Sequence, residues 1–173
     1  MTSTSRLSAS ECVPTDAAAL LIGRAKDNNA SCAVGPFVRV LDETFTLDAA
    51  RRLSFETVVE GSDGFRVTHT TRVSEISRDL VDLASQAHSR YHQYPDGLLL
   101  FIGTMFAPVD DRGAPGSGFT HKTGDVVRIA ASELGALVNE VVPCDQAEPW
   151  SFGTGALMAN LARRGLLMDK GRR

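Results

Sequence analysis

Cysteine is scarce in this chain. Only Cys12, Cys32 and Cys144 occur in 173 residues, and no two form a Cys-x-x-Cys pair. An odd set without paired spacing gives no disulfide framework and fits a reducing, cytoplasmic setting. None of the three stands in a pattern that marks a nucleophile. A surplus of one charge is also missing: 18 Lys and Arg against 21 Asp and Glu leave a net charge of −3. That balance argues against nucleic acid or an anionic membrane surface as partner. No apolar run nears the ~20 residues that span a bilayer. The longest, Leu98 to Ile102, lies between Gly97 and Gly103 and reads as a buried strand. Met1 to Ser10 is polar, with no apolar stretch behind a charged start, so a secretory leader is not expected.

What remains is an ordinary globular composition, 43% apolar and 23% charged, in a chain long enough for one domain with a core. Residues 1–15 are rich in Ser and Thr and are expected to be disordered or weakly packed. Asp16 is placed to cap a short helix through Ala17 to Ile22, which Gly23 ends. A polar loop, Arg24 to Ser31, follows. Strands are expected over Phe37–Leu41, Leu53–Glu60 and Phe65–Thr71. Gly61-Ser62-Asp63-Gly64 joins the last two as a hairpin. A helical period covers Ser74 to His92, with Ile76, Leu80, Leu83, Ala84 and Ala87 on one face, until Pro95-Asp96-Gly97 stops it. The apolar strand Leu98–Thr104 leads into a long loop, Ala107 to Gly118. Strands at Val126–Ala130 and Ala136–Val142 and a helix at Phe152–Arg164 complete the order, before a charged tail over 169–173 that should fray. There is no βαβ alternation, so the fold class is α+β, dominated by a mixed β-sheet.

Several constellations could carry chemistry. His88 and His92 stand four apart on the expected helix, but no Glu follows His88 and no third ligand is in reach, so they read as polar residues on a solvated face. The run Gly113 to Gly118 is glycine-rich but does not link a strand to a helix, as a phosphate cradle would; it reads as a mobile loop. Thr104, at the end of the apolar strand, offers a hydroxyl and an N–H to an anion. Lys26 could neutralise a carboxylate or an enolate oxygen, or be a solvated lysine.

Taken together, these segments resemble the fumarylacetoacetate hydrolase family over roughly Leu20 to Leu167. Asp96-Gly97-Leu98-Leu99-Leu100-Phe101-Ile102-Gly103-Thr104 looks like its strand ending in Gly-Thr. Gly118 to Val127 resembles its turn ending in Gly-Asp, here Gly124-Asp125, and Leu134-Gly135-Ala136-Leu137-Val138-Asn139 is similar to a further strand. Lys26 lies ten residues before Pro36, matching the family's active-site lysine before its Gly-Pro strand; Arg24 is a rival placement. Ala25 to Ser31, Gly103 to Pro108 and Glu148 to Gly153 look like the branch that dehydrates 2-keto-3-deoxy sugar acids such as 2-keto-3-deoxyarabinonate.

The resemblance implies a mixed β-roll over 16–168, N-terminally truncated relative to the family, and a small 2-oxo acid as substrate. Lys26 would be catalytic, and Thr104 with Gly103 would hold the substrate carboxylate. The reaction implied is dehydration, or C–C hydrolysis of acylpyruvate-type substrates. The intact enzyme would be a homo-oligomer. Family members bind Mg²⁺ through a Glu-x-Glu pair and an Asp, all before the lysine. This chain has no Glu-x-Glu, and the matching Asn-Asp position falls near Leu7 and Ser8. Glu11 and Asp16 do not match the motif, so the metal ligands are missing and an inactive, metal-free remnant is a further expectation.

Overall fold

The computed structural model describes residues 2–9, 29–103 and 109–167. Strands β2 (Ser54–Glu60), β3 (Arg66–Arg72), β4 (Val126–Ala131) and β5 (Gly135–Pro143) form an open antiparallel sheet in the order β3-β2-β4-β5. Strand β1 (Thr2–Ala9) adds to the outer edge of β5 in parallel, from Thr2 opposite Ala136 to Ala9 opposite Pro143. The domain is therefore α+β around a mixed sheet. Thr2–Ala9 falls in the stretch expected to be disordered. A Ser/Thr-rich segment can run as an edge strand because the ladder uses backbone groups and one face of an edge tolerates polar side chains.

The expected hairpin forms. Gly61 N–H donates to Phe65 O at 2.8 Å, and Gly64 takes φ +82°, a conformation that favours glycine. In register, Val59 faces Val67 on one side and Val127 on the other. These three and Val141 make one buried cluster, closed by Phe65 and Phe119. Toward the other end of the strands, Phe45, Leu53, Val73 and Ala131 form a second cluster. It is covered by Ala49 and Ala50 of α1 (Leu47–Arg51), by Phe55 of β2, by Ile76, and by Leu80 at the start of α2 (Leu80–Ala87). Helix α3 (Thr154–Arg163) lies within the expected helix at Phe152–Arg164.

Three expectations need correction. The helix over Ser74–His92 shrinks to Leu80–Ala87, because Asp79 caps it, its side chain accepting from Val81 N–H at 2.9 Å, while Val73–Glu75 is a separate 3₁₀ turn. Phe37–Leu41 is not a strand: Phe37, Val38, Val40 and Leu41 are all exposed. Leu98–Gly103 is not a buried strand either; it pairs with no other strand among the described residues and its side chains stay in solvent. Apolar alternation specifies an extended, partnered segment, and among the described residues no partner strand stands beside it. The expected helix at Ala17–Ile22 and the tail at 169–173 lie outside the described residues. Among the described residues no helix is long and apolar enough to cross a membrane.

Candidate functional site

The best-built polar arrangement joins the hairpin turn, the loop before β4 and the first residue ahead of that strand. Asp125 is 1% exposed and the Arg112 side chain 3%. Arg112 donates through Nη1 to Asp125 Oδ2 at 2.5 Å and through Nη2 to Oδ1 at 2.8 Å, a bidentate fork. The same guanidinium holds Asp63 at 2.9 and 3.2 Å and lies over the Phe65 ring at 4.7 Å. Lys122 Nζ adds a 2.8 Å contact to Asp63, and Lys122 N–H donates to Asp125 at 2.9 Å. His121 Nδ1 stands 3.4 Å from Asp125, its ring edge-on to Phe119. Gly61 sits against this group, and a Cβ there would run into the Arg112 guanidinium and the Asp63 carboxylate.

Burial pushes the Asp125 carboxyl up, but the hydrogen bonds from Arg112 and Lys122 outweigh it and leave the group below its ordinary value. Hydrogen bonds from Arg112, then Lys122, hold Asp63 well below the usual carboxylate range. Asp79 is drawn down to about 2, chiefly by Arg51. Carboxylates with depressed folded-state values contribute stability above the unfolded value of about 4 and lose it as pH falls through the folded values. Chemical unfolding followed at a series of pH values should therefore give a flat stability from about pH 7 to 5 and an acid limb below about pH 4. Asp63→Asn should make that limb shallower. A loss already complete at pH 5 would contradict this assignment.

The glycine-rich loop holds its own anion. Asp111 accepts from Gly116 N–H at 2.6 Å and from Gly118 N–H at 2.7 Å, so the N–H groups that could cradle a phosphate are occupied by a carboxylate of the same loop. One residue earlier, Asp110 Oδ2 lies 2.8 Å from His69 Nε2 of β3. Asn139 is 2% exposed and faces Val127 across the ladder.

Lys26, Arg24 and Thr104 lie outside the described residues, as do Glu11, Asp16 and Asp27. Gly103 is exposed at φ +83° with open space around it. His88 and His92 do not share the helical face expected for them: α2 ends at Ala87, His88 is its C-cap, and His92 is in the following turn. Among the described residues no group of three or more His, Cys, Asp or Glu could hold a metal ion. The adjacent carboxylates Asp63 and Asp125 are neutralised by Arg112, so they do not fit the Mg²⁺ the resemblance implies.

A cavity of about 520 Å³ lies between Gly35–Arg39 and the α1 end of the sheet, among Phe37, Phe45, Phe55, Ile129 and Leu137. Its charged members are Arg39, held by Asp42 and Thr44, and Glu133. A polyhydroxylated acid needs a polar partner for each hydroxyl, and this lining is mainly apolar. Arg112 and Asp63 went unnoticed in the sequence because they lie 49 residues apart, and no periodicity connects them. The chain matched no family model, no curated protein and no solved structure.

Proposed function

We propose that this chain is the acid-binding, sheet-rich part of a fumarylacetoacetate hydrolase-like enzyme acting on a 2-oxo acid, with the mixed β-roll of that family as its complete architecture. The favoured reaction is dehydration of a 2-keto-3-deoxy sugar acid. One observation supports the reading most: Asp125 and Asn139, one from each of the two later resembling segments, are buried polar residues at 1% and 2% exposure. These two segments run into β4 and β5, whereas Asp96–Gly103 lies outside the sheet. In this reading Lys26 contributes positive charge at the substrate oxygens, and Thr104 and Gly103 receive the carboxylate. C–C hydrolysis of an acylpyruvate is the alternative for the same acid site. The missing Glu-x-Glu favours a second reading, in which the chain binds such acids without turning them over. No step is assigned to a metal ion.

Binding is the direct test. Titrating the ¹⁵N-labelled chain with pyruvate, and then with 2-keto-3-deoxyarabinonate, should shift resonances of Lys26, Gly103 and Thr104. Lys26→Met should weaken that binding about tenfold or more, the value of one charge-assisted hydrogen bond. Identical titrations of the parent, Lys26→Met and Thr104→Val would remove these residues from the acid site.

A further inference from the structure

We propose that the cavity between Gly35–Arg39 and the sheet binds an apolar carboxylate, an acid group on a ring-sized hydrocarbon body, with Arg39 as its anion anchor. The inference does not rest on the proposed function, which assigns a small polar acid to Lys26, Gly103 and Thr104. At about 520 Å³ the cavity falls within the ordinary range of small-molecule sites. Its floor is the buried cluster of Phe45, Leu53 and Ala131. Its walls stay open to solvent: Phe37 and Ile129 line it and are 68 and 39% exposed. An apolar body seated there would remove aromatic and aliphatic surface from water, which is the main driving force such a recess offers.

The charge of the ligand follows from Arg39. Its guanidinium lies over the Phe45 ring, 5.2 Å from the centroid, so the cation stands against the aromatic lining. Its hydrogen bonds among the described residues all leave from Nη2, to Thr44 Oγ1 and to Asp42 Oδ1 at a long 3.4 Å. That carboxylate oxygen also accepts from Thr44 N–H at 2.8 Å, Thr44 Oγ1 at 2.7 Å and Phe45 N–H at 2.9 Å. Asp42 therefore serves its own turn first and orients Arg39 through one nitrogen. Among the described residues Nε and Nη1 have no acceptor, and together they present the fork that a carboxylate fits. Glu133 is the other charged side chain of the lining. It is not ion-paired with Arg39 and accepts instead from Ser132 Oγ at 2.6 Å, in the exposed turn between β4 and β5.

The test is a titration of the ¹⁵N-labelled full chain with three probes that share one ring system: 2-naphthoate, 2-naphthamide and 2-naphthylmethylamine. The acid should bind with a Kd of about 1 mM or tighter and shift resonances of Gly35, Ile129 and Leu137. It should bind about tenfold more tightly than the neutral amide, the size expected of a charge-assisted hydrogen bond. Arg39→Met should bring the acid to the level of the amide, with unchanged far-ultraviolet circular dichroism. Ile129→Trp, which fills part of the cavity from a half-exposed position, should weaken acid and amide alike. Lys26→Met should leave naphthoate binding as it is, so that failure here and failure of the acid site proposed above are told apart. The proposal falls if none of the probes binds, if acid and amide bind equally, or if the amine binds most tightly. It also falls if Arg39→Met keeps the acid's advantage, or if Lys26→Met rather than Arg39→Met removes it.

Discussion

Asp125→Ala should destabilise the domain by about 3–5 kcal/mol, the cost of breaking a buried ion pair by removing one partner. The loss is large because Arg112 stays behind with its side chain 3% exposed, with Asp63 as the remaining carboxylate and the Thr120 carbonyl as a neutral acceptor. The backbone N–H of Lys122 loses its acceptor at the same time. Typical domains are stable by about 5–15 kcal/mol, so this single change removes much of the total. Urea unfolding of parent and variant measures it, read as a shift in midpoint at constant slope. The double variant Arg112→Met, Asp125→Leu should lose less than Asp125→Ala, because it leaves no buried charge without a partner. A double variant less stable than the single one would show that the pair's own attraction, rather than the orphaned charge, dominates.

The purified chain, given excess Mg²⁺ or Mn²⁺ and 2-keto-3-deoxyarabinonate, should turn over well below about 1 s⁻¹, the low end of the ordinary enzyme range. The resembled family fixes Mg²⁺ with a Glu-x-Glu pair and an Asp, and this chain has no Glu-x-Glu. Mg²⁺ sheds its waters reluctantly and is generally anchored by at least one or two carboxylates, so chelation by the substrate alone holds it weakly. Loss of one preorganised electrostatic donor costs about 10²–10³ in rate, and loss of a divalent ion should cost more. Running an acylpyruvate in parallel separates dehydration from C–C cleavage by product. A rate of about 1 s⁻¹ or faster on either substrate would sink the metal-free reading and assign ligand duty to Glu11, Asp16 or Asp27.

The hairpin around Gly61–Gly64, strands β4 and β5 and the helix near Thr154 were legible from sequence, because local rules produce them: period-2 alternation, turn residues that tolerate positive φ, and a period-3.6 stripe. Where local signals compete, the reading slipped. The periodic stripe from Ser74 is longer than the helix, because Asp79 is the N-cap and a helix begins where its first N–H groups are satisfied. Phe37–Leu41 and Leu98–Ile102 have strand composition, but a strand is completed by another strand, and which segments meet is a non-local choice. Likewise the sequence alone determined that Asp125 sits in a tight turn before an apolar strand. Only the tertiary structure decided that Arg112 and Asp63 converge on it, because a guanidinium cannot be buried until carboxylates from distant segments arrive to neutralise it.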